Sequence, residues 1–315
     1  MYRWLYALEN QKAKGGEMNN PDIPALFDEL VPFENRRGKN DRFEYAKVRQ
    51  GNTRYFLKSA RSDKFIPNMQ REIVWAEFMN RVEAFYPEKH LFGLNVVRRI
   101  GKTGIVFDFV DAPVVAEPGD IEAWQQILPR YADMLVTFDA IAQNWKSEDL
   151  PEEPSRSDHV YDLWRQWLGV NIERYPRLLE ARKQLEMIHS KLTKCLQHGD
   201  LTPWQIFDTG NGWVVYDGEK CGTDLFRFTD LAYGYGRLYT LLKSPIVAKE
   251  LLRAFMEKHA MDNTQFMKEF VPVLTHRAVG CLADAYNDQG TNDYIAAAEE
   301  LLGICIDKNT KAITA

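Results

Sequence analysis

Apolar and polar positions alternate with a period of two over Phe43-Glu44-Tyr45-Ala46-Lys47-Val48 and again over Arg54-Tyr55-Phe56-Leu57-Lys58, with the turn pair Gly51-Asn52 between them. Successive side chains of a strand point to opposite faces, so this pattern predicts a β-hairpin. From Met69 to Phe85 the period lengthens: Ile73, Ala76, Phe78, Met79 and Val82 recur at the spacing of one helix face. Two more strands are predicted, Asn95 to Ile100 and Gly104 to Val110, joined at a Gly101–Gly104 turn. Ahead of the hairpin, Pro21 to Pro32 reads as a short helix, with Pro24 in its first turn and Leu26, Phe27 and Leu30 as its apolar set.

The character changes after Asp111-Ala112-Pro113. Ile121 to Asn144 reads as a long amphipathic helix, Lys146 to Asp158 as a polar loop, and His159 to Asn171 and Pro176 to Cys195 as further helices. A compact island of strand and turn follows, Leu196 to Asp217, interrupted by Asn211-Gly212. Helical periodicity then returns over Leu231 to Leu242, Ile246 to His259, Thr264 to Asn287 and Asn292 to Ile306. The fold class is therefore α+β. A small antiparallel-sheet lobe with one helix spans residues 1–111, and a larger, mainly helical lobe carrying one short hairpin spans 112–315, the boundary falling near residues 109 to 120.

Composition narrows the setting. A chain of 315 residues with 45% hydrophobic and 27% charged residues has the mix of a globular protein with room for two cores. A net charge of −5 argues against general nucleic-acid binding, which depends on excess positive charge. No stretch approaches the roughly 18 apolar residues of a membrane helix, and Met1 to Leu8, with Arg3 inside it and Glu9 after it, lacks the apolar run of a secretory signal. Cys195, Cys221, Cys281 and Cys305 are scattered without a CxxC pair, which points to thiols in a reducing cytoplasm.

The chemistry concentrates in QHGDLTPWQIFDTGNGWVVYDGEKCGTDLFRFTD, residues 197–230. Asp200 follows His198-Gly199 in a loop, while Asp217 ends the apolar run Trp213-Val214-Val215-Tyr216. A turn at Asn211-Gly212 folds the segment back, so that both acids can approach one cleft. Phosphoryl transfer needs such a pair, one carboxylate to orient the attacking hydroxyl and another to hold the metal on the phosphates. Gln205, five residues after Asp200, offers a further hard oxygen for magnesium.

HGDLTPWQIF, then VVYDGEK, then TDLA resembles the aminoglycoside phosphotransferase/choline kinase branch of the protein-kinase-like superfamily. The order of lobes fits that branch along nearly the whole chain, though only the segment 197–231 is specific. The resemblance implies that Asp200 is the catalytic base, Asp217 the principal magnesium ligand with Gln205 beside it, His198 a brace of the catalytic loop, and Asp230 a cap or anchor of the helix beginning at Leu231. It implies that Lys58, at the end of its strand, meets the nucleotide phosphates and pairs with a glutamate of the following helix. Glu72 is the first choice and Glu77 the competitor, on a helix face roughly 140° away. Backbone groups of Phe109, Val110 and Asp111 are expected at the adenine edge. Two features depart from the family pattern: Gln205 stands where asparagine is usual, and no glycine-rich loop is present, only Gly38 among Arg36, Arg37 and Lys39, which could add charge over the phosphates. The expected activity is ATP- and Mg2+-dependent phosphorylation of a hydroxyl on a small molecule, with GTP an open alternative as donor. The rivals are a nucleotide-binding regulatory protein with little turnover and a protein kinase; against the latter, the stretch from Asp217 to Asp230 is too short for a peptide-seating activation segment. The partners expected are nucleotide and small substrate, with neither nucleic acid nor membrane. A polycationic acceptor would call for clustered acids, and Glu219, Asp224, Glu299 and Glu300 are the candidates.

Overall fold

The hairpin forms as β2 (Phe43–Gln50) and β3 (Thr53–Ala60), antiparallel, with Tyr45 directly across from Lys58. The structure, a computed structural model, describes residues 23–33, 42–145, 177–287 and 291–314, and singly residues 158, 162, 164, 166, 167, 171 and 175. The loop expected from Lys146 and the helix expected from His159 lie largely outside the described residues, as do Arg36, Arg37, Gly38 and Lys39.

Two compact units emerge. One holds the described residues of Met1–Glu117 and of Trp204–Lys220; the other holds those of Pro118–Ser147, Glu152–Pro203 and Cys221–Ala315. In the first, β1 (Glu29–Phe33), β4 (Leu91–Gly93), β5 (Val96–Ile100) and β6 (Gly104–Asp108) join the hairpin strands. A five-stranded antiparallel sheet runs β1-β2-β3-β6-β5. Strand alternation sorts its two faces. Phe43, Tyr45, Ile105 and Phe107 share a buried cluster with Met69 and Ile73 of α1 (Ile66–Phe85). Ala46, Val48, Leu57 and Val106 form another with Ile23. Lys58, one residue beyond Leu57, thereby lands on the face that α1 covers.

The helix expected over Pro21 to Pro32 is not formed in the described part of that segment. A 3-10 turn at Pro24–Leu26 gives way to β1, which pairs with β2 from Glu29↔Arg49 to Phe33↔Tyr45. Phe27 and Leu30 pack against the second cluster, which satisfies the apolar spacing without a helix. Pro32 is tolerated because β1 is an edge strand, where a missing N–H need break no ladder.

The island after residue 203 returns to this unit. Strands β8 (Ile206–Asp208) and β9 (Trp213–Val215) form the hairpin anticipated at Asn211-Gly212, and β4 pairs with β9 in parallel, Leu91 opposite Trp213. Three-residue β4 carries too little alternation to be seen in the sequence, and its partner lies more than a hundred residues on.

The second unit contains α2 (Ile121–Ala142), α3 (Arg177–Ile188), α4 (Thr229–Gly236), α5 (Pro245–Lys258), α6 (Asn263–Asn287) and α7 (Asn292–Ile306). Strands β7 (Lys194–Gln197) and β10 (Gly222–Phe226) pair antiparallel within it. The helix expected over Leu231 to Leu242 ends instead at Gly236, and Arg237–Leu241 continues as one π-helical turn closed by the Leu242 N–H on the Arg237 carbonyl at 3.0 Å. No helix among the described residues is long and apolar enough to cross a membrane.

A buried ion network ties distant elements of this unit together. Arg227 donates from Nε and Nη2 to Asp139 of α2 at 2.8 and 2.7 Å, and His259 Nε2 lies 2.9 Å from the same carboxylate. Burial alone would raise the Asp139 carboxyl, but the hydrogen bonds from Arg227 and His259 outweigh it and hold the group below its ordinary 3.8. Asp139→Ala leaves the buried arginine with only the more distant Glu269, 3.7 Å away, and should lower the unfolding free energy by about 3 kcal/mol in urea denaturation. Because the folded carboxyl is depressed, the stabilisation is complete above the ordinary value and is lost as pH falls through the folded one. Wild-type stability should therefore fall faster than that of Asp139→Ala below pH 3.8; parallel curves would count against the network.

Candidate functional site

Lys58 Nζ is buried, with 3% of the side chain exposed, and is surrounded by carboxylates. It donates to Glu72 Oε1, to Asp217 Oδ1 at 3.1 Å and to Glu219 Oε2 at 3.1 Å. The rings of Phe43 and Tyr45, on the strand beside it, lie with their centroids 4.6 and 6.0 Å from the ammonium, a cation–π arrangement. Burial works against the charge, yet Glu72, Glu219 and Asp217 together raise the lysine well above its ordinary value, so it stays protonated. The crowding falls on Glu72. Burial and the neighbouring Asp217 and Glu219 push it up, Lys58 pulls it down, and the result is about 7.

Local structure explains the meeting. Glu72 stands on the α1 face turned to the sheet, and its second oxygen accepts the Gly218 N–H at 3.0 Å. Asn68, one helical turn earlier, donates to the Glu219 carbonyl at 3.1 Å. Gly218 permits the approach, since a Cβ there would stand 2.3 Å from Trp75 Cβ of α1. Asp217 itself adopts a left-handed φ of 67°, a conformation that disfavours side chains other than those of Gly, Asn and Asp. That strained residue keeps 35% of its side chain exposed, whereas Glu72 and Glu219 keep 5% each.

Glu219, named from the sequence among acids for a polycationic acceptor, is placed by the structure against Lys58. It bonds Lys58 and also pairs with Arg42 at 2.8 Å. Its position two after Asp217, across a glycine pressed on α1, is the signal that could have revealed it. Glu77, the alternative to Glu72, lies on α1 away from this contact.

Gln205 is buried, and its carbonyl accepts the Tyr216 N–H at 3.1 Å, so the β8/β9 ladder sets it beside the residue preceding Asp217. Ligand oxygens of Glu72, Asp217 and Glu219 lie within 4.8 Å of one another. Against those three carboxylates stand two cations, Lys58 and Arg42. Hard oxygen donors with an excess of negative charge fit a magnesium ion. Past the end of β6, the Phe109 ring has Arg54 and Lys47 about it at 5.0 and 5.1 Å, and Arg54 reaches Asp111 at 3.1 Å, while Val110 between them is half-buried.

Asp200 belongs to the other unit, in a loop fixed by a different carboxylate. Asp230 accepts the backbone N–H groups of His198 and Gly199, each at 2.8 Å. Its own N–H donates to Gln197 Oε1 at 3.2 Å. Capping of its helix is not its role: α4 begins at Thr229, and Asp230 points back to the loop. Burial raises the Asp230 carboxyl, opposed by His198 and the two backbone N–H groups. Gly199 takes a φ of 82°, which only glycine adopts at little cost, and this turns the chain toward Asp200. Tyr131 of α2 donates to the Leu201 carbonyl at 3.1 Å and steadies the loop's far side.

No family model and no curated protein sequence matches this chain. Solved structures do. A choline/ethanolamine kinase family protein from Mesorhizobium loti is 14% identical with a TM-score of 0.55, the match covering 94% of this chain and 95% of that one. An amicoumacin kinase bound to AMP-PNP and Ca2+ is 13% identical with a TM-score of 0.56, over 91% and 96%. An aminoglycoside phosphotransferase in a ternary complex with ADP and hygromycin B is 10% identical with a TM-score of 0.57, over 91% and 97%. At such identities the likeness speaks for the fold: the chain has the α+β protein-kinase-like fold of the aminoglycoside phosphotransferases and choline kinases.

Proposed function

We propose that the protein is a small-molecule kinase, transferring the terminal phosphoryl group of ATP to a hydroxyl in the presence of Mg2+. The observation that carries this reading is the buried Lys58 held by Glu72 and facing the partly exposed Asp217. The structures that share the fold include kinases with bound nucleotides, which supports the same reading. Lys58 would donate to the nucleotide phosphates while Glu72 keeps it directed at them. Asp217 and Gln205 would hold magnesium, which supplies charge neutralisation at the phosphates when bound. The backbone of Phe109 to Asp111 would meet the adenine edge. Asp200 would take the proton of the acceptor hydroxyl as its oxygen bonds to the γ-phosphorus and the bond from that phosphorus to the departing ADP oxygen breaks.

Thermal unfolding with ATP or GTP, each with Mg2+, tests the nucleotide site. The wild type should melt at a higher temperature with at least one of them, and Asp217→Ala should lose that gain and about 100-fold or more in turnover. No gain with either nucleotide, or a variant that keeps most of its activity, overturns the assignment. Asp230→Ala separates loop from nucleotide. With the His198 and Gly199 amides released, turnover should fall by about 100-fold through misplacement of Asp200, while the nucleotide-induced gain in melting temperature stays. An unchanged kcat would show that Asp230 does not position Asp200.

A further inference from the structure

At one place in the second unit two largely buried arginines share a single carboxylate. Arg237 opens the π-helical turn after α4, a kind of irregularity that recurs at functional sites, and Arg277 lies on α6. Space has been made for Arg277. A Cβ on Gly236 would stand 3.1 Å from its Cγ and from Cys281 Sγ, and one on Gly280 would stand 2.9 Å from the Trp164 ring and 3.2 Å from the Arg277 Nη1. Glycine weakens a helix relative to alanine, so both positions give up helix stability for close packing around the Arg277 side chain. Both guanidiniums lie against the Tyr233 ring, 5.0 Å from its centroid for Arg237 and 4.2 Å for Arg277, and Arg237 donates to the Tyr233 hydroxyl at 2.8 Å.

Among the described residues, Asp284 is the one carboxylate within ion-pair range of the two, 3.0 Å from Arg277 and 3.6 Å from Arg237. One carboxylate against two guanidiniums leaves a net positive charge, with only 20% and 13% of the Arg237 and Arg277 side chains exposed. The Nε atoms of both arginines and the hydroxyl of Tyr294 are buried without a hydrogen-bond partner among the described residues. A buried charge short of its counter-ion is costly, and three orphaned donors beside it describe the missing group as an anion. The cluster also adjoins the loop that carries Asp200. Burial opposes the charge on Arg237, while Tyr233, Asp284, Tyr294 and Asp200 favour it, so Asp200 lies within its field.

We propose that Arg237, Arg277 and Tyr294 form an anion subsite of the acceptor, which is thus a hydroxyl compound bearing a carboxylate or phosphate group. The word acceptor rests on the kinase reading; the anion subsite does not. Two guanidiniums at this place repel polycations, so the subsite selects against aminoglycoside-like acceptors as well as for anions.

Melting temperatures at constant ionic strength test this with phosphate, glycerate, glycerol and choline as probes. Phosphate and glycerate should each raise the wild-type midpoint by about 2–4 °C, and glycerol and choline should not. The glycerate gain should shrink in Arg277→Lys, which keeps the charge but loses the fork, and vanish in Arg277→Met. Should Arg277→Met fail to fold, Arg277→Lys and Arg237→Lys decide. Equal responses to glycerate and glycerol, no response to either anion, or a glycerate gain untouched by the arginine substitutions overturns the proposal. A glycerate gain without any ATP gain overturns the kinase reading and leaves the anion subsite standing; the opposite pattern does the reverse.

Discussion

Taking a lysine ammonium out of water costs several kcal/mol unless other groups replace the water. Lys58 stands on a strand flanked by Leu57 and Ser59, both buried, beneath a helix that covers its face. It donates three hydrogen bonds, to two places in the chain: Glu72 on α1, and Asp217 and Glu219 in the turn after β9. Helix, sheet and returning segment thus converge on one nitrogen. Burial first, and the neighbouring Asp217 and Glu219 after it, hold Glu72 above the ordinary carboxylate range against the pull of Lys58. A divalent cation beside Asp217 would relieve the crowding of carboxylates.

Each unit uses a buried carboxylate to hold another group still. In the first, Glu72 fixes both a lysine and the Gly218 amide; in the second, Asp230 fixes the amides of His198 and Gly199. The groups left more open are of another kind. Asp217, strained at a left-handed φ, and Asp200, on a pinned loop, retain partial exposure. Strain and restraint at such positions are what a preorganised polar site requires, since they are settled in folding rather than during reaction.

Much of this was legible before the structure. The hairpin, α1 and the turn at Asn211-Gly212 follow from periodicity and turn chemistry, because each is a local pattern. Lys58, Glu72, Asp200 and Asp217 stand out because their spacing resembles a known arrangement. What escaped notice depends on distance in the chain. Strand β4 exists only through its parallel pairing with β9, and β1 replaced a helix because β2 offered it an edge. Asp230 reads as a helix cap until its partners, more than thirty residues earlier, are in place. The Lys58 partnership of Glu219 and the Arg237–Arg277 pair were hidden for the same reason: a charge shows nothing of its counter-ions until the fold assembles them.

The bond between Lys58 and Asp217 spans 159 residues of sequence. A ribosome makes the strand and its lysine long before it makes the aspartate and Glu219 that complete the neutralisation. The first unit therefore cannot mature as the leading part of the chain emerges, because residues 204–220 belong to it and are synthesised after much of the second unit. Contacts of such high sequence separation slow folding and prolong the exposure of unfinished surfaces. A fragment ending near residue 117 would carry a lysine with one carboxylate of three, and an α1 face at Trp75 from which the Gly218 segment is missing. The nascent protein thus has a vulnerable interval, when aggregation or a chaperone competes with closure, and it ends only when the turn after β9 arrives.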